Sequence, residues 1–74
     1  MFIEVNEIDK KVGKNVRIER IKQDLSQEKL AELANINTAT VGTVERGDNA
    51  TTVQTLTKIS NALNIELYKL FIFD

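Results

Sequence analysis

Two runs decide the fold: Leu25-Ser26-Gln27-Glu28-Lys29-Leu30-Ala31 and, eight residues further on, Thr40-Val41-Gly42-Thr43-Val44-Glu45-Arg46-Gly47. Ser26 is a good helix N-cap, because its side-chain oxygen can accept from a free N–H of the first turn, and the acid Glu28 follows within that turn. Leu30 and Leu33, with the small Ala31 and Ala34, give this helix an apolar face. Asn35 ends it, since asparagine tolerates the left-handed conformation that closes a helix.

Ile36 is an isolated apolar residue in the turn that follows, and is expected to plug the core. Asn37 caps the next helix, in which Val41 and Val44 lie three apart and which stops at Arg46-Gly47, with glycine as the natural residue past a helix end. Two helices of about eight residues joined by three or four outline a helix-turn-helix over 26–46.

Working outward, Asp9 is expected to cap a helix that runs to about Gln23, with Val12 and Val16 four apart on one face and Ile21 and Leu25 repeating that spacing. After the loop Asp48-Asn49-Ala50, Thr51 or Thr52 caps a fourth helix with Leu56, Ile59 and Leu63 at i, i+3 and i+7, and Asn64 breaks it. A short fifth helix at about 66–70 precedes the apolar tail Phe71-Ile72-Phe73. Residues 2–5 and 71–73 are both β-friendly, which leaves two arrangements: a short antiparallel terminal ribbon beside a dimer interface, or a tail folded onto its own core with the first residues frayed.

Composition sets the bounds. With 74 residues, 42% of them hydrophobic, the chain makes one domain over 1–74 with a modest core. It has no cysteine, hence neither a disulfide nor a thiolate zinc site, and no histidine to serve as general base or metal ligand. Together with the lack of a glycine-rich phosphate loop or a convergent carboxylate pair, this argues against an enzyme and against a cofactor. Nothing reads as a signal peptide or a membrane span, so no membrane partner is expected and the cytoplasm is the expected location.

Net charge is −1 but segregated: residues 10–58 hold nine cations against six carboxylates, a net of +3, and the two ends hold one against five, a net of −4. A basic middle between acidic ends fits either a DNA-binding face or ordinary surface charge.

The two quoted runs, with Leu56, Lys58-Ile59, Ala62-Leu63 and Leu67-Tyr68-Lys69-Leu70-Phe71, closely resemble the Cro and lambda-repressor-like helix-turn-helix family, which includes phage repressors, xenobiotic-response-type regulators and restriction-modification controller proteins. The resemblance covers about residues 12–71. It implies an all-α, compact five-helix DNA-binding domain that acts on double-stranded DNA as a transcriptional regulator, with repressor as the commonest role in the family and activator or controller also open. A homodimer on a palindromic operator follows from the family's two-fold habit, in which recognition helices lie about 34 Å apart on one DNA face.

Roles then carry over by position. Thr38, Ala39 and Thr43 fall where the family's recognition helix meets base edges, and 39 and 43 share a face opposite Val41 and Val44. Gln27 matches a glutamine that contacts the DNA backbone, with Asn37 and Thr40 also near phosphate. Lys11, Lys14, Arg17, Arg46 and Lys58 are the expected phosphate contacts. Arg20 and Glu45 match a structural salt bridge between helices one and three, and Ala31 a close-approach position between the motif helices. Leu30, Ala34, Ile36, Val41, Val44, Leu56, Ile59 and Leu63 form the core, while Leu67, Tyr68, Leu70, Phe71, Ile72 and Phe73 hold more apolar surface than a fifth helix needs and are assigned to the dimer interface.

There are departures from the family pattern. Gly42 lies inside the recognition helix, where glycine costs roughly 1 kcal/mol relative to alanine. Glu19 stands at a position that is often apolar. No Arg, Gln or Asn lies within 38–45, so the bidentate readers of guanine and adenine are missing and readout shifts toward A·T-rich contacts, DNA deformability, or Asn37, Arg46 and the Asp48–Asn49 loop. The alternative function is a protein-interaction module on the same fold, such as an antitoxin or an anti-repressor, with a protein partner.

Overall fold

The computed structural model describes residues 2–73. Helix α1 spans Val5–Lys22, α2 Gln27–Ala34, α3 Thr38–Arg46 and α4 Val53–Ala62, and a 3-10 turn covers Leu67–Phe71. The helical boundaries follow from local chemistry. Ser26 Oγ accepts from Lys29 N at 2.9 Å to start α2, and Thr52 Oγ1 accepts from Thr55 N at 3.0 Å to start α4. Asn37 stands at the start of α3 without a side-chain cap. Each helix is followed by a residue of positive φ: Asp24 (57°), Asn35 (56°), Gly47 (67°) and Asn64 (57°).

The core is built where the stripes meet. Val12 and Val16 of α1, Leu30, Ala31 and Ala34 of α2, Val41 and Val44 of α3, and Leu56, Ile59 and Leu63 of the α4 region are all buried. Ile36 is half-buried and packs against them.

Several expectations need correction. The first helix does not wait for Asp9: it begins at Val5, with Glu7 in its first turn and the apolar stripe extended backward from Val12 to Ile8, which packs on the core. Burial of Ile8 outweighs the β preference of this segment, since tertiary packing rather than propensity decides most helices. Val5 is therefore helical, and no strand occurs among the described residues, so the terminal ribbon is absent.

The fifth helix is a 3-10 turn, in which residues three apart eclipse; Leu67 and Leu70 are so spaced, and both turn inward. Leu70 is 0% exposed and belongs to the chain's own core, not to an interface. Ile21 and Leu33 are exposed, and Leu25 lies beyond α1.

Two side-chain amides, one within α1 and one just past its end, hold the C-terminal part of the chain. Asn15 Nδ2 donates to the carbonyls of Leu70 and Ile72, each at 2.9 Å, and Gln23 Nε2 donates to Leu63 O at 2.7 Å. Among the described residues no buried side-chain nitrogen or oxygen lacks a partner.

Candidate nucleic-acid interface

Helices α1, α2 and α3 are tied at one carboxylate. Arg20 Nε donates to Glu45 Oε2 at 2.6 Å and Nη2 to Oε1 at 3.1 Å, a bidentate pair from α1 to α3. Arg20 Nη1 also donates to Leu25 O at 2.7 Å, at the entry to α2. Gln27, the first residue of α2, donates from Nε2 to Glu45 Oε1 at 3.1 Å. The side chains of Arg20 and Glu45 are only 13% and 3% exposed, so the pair is largely desolvated and its guanidinium is already committed. The arrangement fixes the start of α2 against α3 while leaving Gln27 half-buried at the surface.

Two glycines set how closely the helices approach. A Cβ on Gly13 of α1 would run into the Val44 carbonyl oxygen and lie 2.8 Å from that of Glu45, so α1 and α3 cross backbone to backbone. A Cβ on Gly47 would lie 2.6 Å from Lys10 Cα, which continues the same crossing. Gly42 is different: a Cβ there would meet Arg46 Nη1 at 3.0 Å and Gln27 Oε1 at 3.8 Å, both ends of side chains. Gly42 thus leaves room for Arg46 and Gln27 to converge beside α3.

The outward side of α3 is open. Asn37, Thr38 and Ala39 are exposed, and Thr40 and Thr43 half-buried. Ala39, Thr40 and Thr43 face Asn49, Thr52 and Thr55 across a cleft of about 320 Å³. Its surface of methyls and hydroxyls suits apolar contact and single hydrogen bonds rather than bidentate readout.

The cations are placed unevenly. Arg17 follows Gly13 by four and precedes Arg20 by three, on the stripe of α1 that lies along α3. Lys14, Arg17 and Lys58 are exposed and have no carboxylate at ion-pair distance among the described residues. Lys11 instead stands over the Phe73 ring, 5.9 Å from its centroid. Arg46 is exposed and donates from Nε to Asp48 Oδ2 at 2.7 Å.

Gly13 was not singled out in the sequence as part of this site, and Asp48 was named only within the Asp48–Asn49 loop as a source of readout, not as the partner of Arg46. A glycine between Val12 and Val16, on an otherwise well-formed helix, was the available signal for the first; an acid two residues beyond the one cation of α3 was the signal for the second.

A helix-turn-helix family profile matches residues 16–70. The chain belongs to the helix-turn-helix family. This helix-turn-helix protein is 38% identical over 69 residues to the control protein C.SmaI of Serratia marcescens, across 93% of its own length and 79% of the relative's. It is equally 38% identical to the restriction-modification controller protein C.AhdI of Aeromonas hydrophila, whose crystal structure superposes with a TM-score of 0.83 over 85% of this chain and 96% of that one. The DNA-binding domain of BldD is 30% identical, with a TM-score of 0.80 over 90% and 97% of the two chains. These matches place the helix-turn-helix protein in the Cro and lambda-repressor-like group. No helix among the described residues is long and apolar enough to cross a membrane.

Proposed function

We propose that the chain is a cytoplasmic, sequence-specific double-stranded DNA-binding transcriptional regulator of the controller kind, acting as a homodimer on a palindromic operator. The observation that carries this reading is the Glu45 junction: it clamps the start of α2 to α3 and leaves an open face of Thr38, Ala39 and Thr43 beside Gln27. In the proposed complex α3 enters the major groove, Thr38, Ala39 and Thr43 meet base edges, and Gln27, Asn37 and Thr40 meet phosphates. Lys14, Arg17, Arg46 and Lys58 supply further phosphate contacts, with Lys11 the most distant in role because it already faces Phe73.

The homodimer reading rests on exposed Phe2, Val5, Tyr68, Phe71 and Ile72, an apolar surface at the two chain ends that a second copy would cover. Leu70 takes no part in it. Selection of bound sites from a random DNA pool tests the whole reading: enriched sequences should show two-fold symmetry with half-sites one helical turn or a multiple apart. Recovery of no enriched sequence would reject it.

A protein-interaction module is the second reading, favoured by one observation. Arg20, Lys22, Lys29 and Arg46, the cations within 20–52, each pair with a carboxylate. Binding to random duplex at ~50 mM salt separates the two readings, because a working basic face gives weak, salt-sensitive binding and a pure interaction module gives none.

A further inference from the structure

We propose that Asp48 is an internal competitor for DNA: it holds the Arg46 guanidinium in the free protein and gives it up when α3 docks. The inference rests on the DNA-docking reading above and adds a residue that sets its affinity.

Arg46 is the one cation of α3, and none follows it before Lys58. Its Nε donates to Asp48 Oδ2 at 2.7 Å, while the two side chains are 63% and 50% exposed. The pair is therefore open to water and exchangeable, unlike the desolvated Arg20–Glu45 pair. Asp48 stands just past the C-terminal end of α3, where the helix dipole is negative, so its carboxylate is not there to stabilise the helix. A guanidinium takes a carboxylate and a phosphate through the same donor fork, so a phosphate that engages Arg46 bidentately through Nε and an Nη displaces Asp48 from Nε.

Gly42 directs this contest to the interface. With no side chain at that position, Arg46 Nη1 and Gln27 Oε1 come within 3.0 and 3.8 Å of the point a Cβ would occupy. Arg46 thereby reaches back along α3 to the start of α2, the edge assigned to phosphate. Arg20 is held by Glu45 in a desolvated pair, whereas Arg46, like Lys29 with Glu32, sits in an exposed pair that docking can open, and of the three only Arg46 stands on α3. When it leaves Asp48, the freed carboxylate takes up a solution cation as the phosphate loses one. The wild-type salt dependence is then shallower than its phosphate contacts alone would give.

The test uses the full chain and a fluorescently labelled random-sequence duplex, titrated over a salt series from ~50 mM upward. Asp48→Asn should bind about two- to fivefold more tightly, the range of an exposed ion pair, with a salt slope steeper by up to about 0.9. In an Arg46→Ala background the same change should gain nothing. Thermal melting checks that each variant folds. Equal or weaker binding by Asp48→Asn overturns the proposal, and so does a gain that persists without Arg46, which would make Asp48 a general repulsive charge. No binding by the wild type would instead reject the DNA-docking reading, and this proposal with it.

Discussion

Gly13 and Gly42 both lie inside helices, and substitution should move them in opposite directions. At Gly13 a methyl meets the α3 backbone, which cannot move aside without separating two helices. Gly13→Ala should therefore cost about 1–3 kcal/mol in urea unfolding, the usual cost of overpacking, despite the better helix propensity of alanine. At Gly42 the methyl meets only the ends of Arg46 and Gln27. Gly42→Ala should leave stability unchanged or raise it by up to about 1 kcal/mol, while weakening DNA binding by displacing Arg46. The sequence exposes Gly42 as an anomaly because it interrupts a recognisable helix. It does not expose Gly13 in the same way, since periodicity gives a residue's face but not the distance from that face to another backbone.

At the scale of elements, the Glu45 junction matters more than any single helix. Glu45→Ala removes the acceptor of both Arg20 and Gln27, and strands a guanidinium that is 13% exposed. A loss of about 3 kcal/mol or more is expected in chemical denaturation, together with weaker duplex binding because α2 is no longer fixed on α3.

The Asn15 clamp should act more locally. Asn15→Ala leaves two carbonyls without their donor, costing about 1–2 kcal/mol, and amide exchange should quicken through Leu67–Phe71 before it does in α4. Helix ends were the most legible part of this level, because Ser26, Asn35, Gly47, Thr52 and Asn64 act through their own side chains or φ angles. The start of α1 was not, because Phe2–Val5 has β-friendly residues and only the packing of Ile8 reveals the helix. Leu70 was misassigned for a related reason: an apolar tail can be counted in sequence, but which of its residues the core consumes depends on the 3-10 geometry and on Asn15.

For the whole molecule, the proposed function depends on assembly and docking. The longest principal extent is 35 Å, about the length of one helical turn of DNA, so the two-fold operator proposed above would take two copies. Ile72 is exposed while its carbonyl is held by Asn15, so Ile72→Glu should spare the fold and charge the proposed interface. A wild-type dimer should shift toward monomer in sedimentation with this variant; an unchanged dimer mass would remove the tail from the interface.

The docking face is tested most directly by titrating the 15N-labelled protein with duplex DNA and mapping amide shifts by NMR. Shifts should concentrate at Ser26–Lys29, along α3 from Asn37 to Arg46, and in the 48–52 loop. Absence of shifts in α3, or shifts confined to the segment after Asn64, would contradict a helix-turn-helix that docks on DNA.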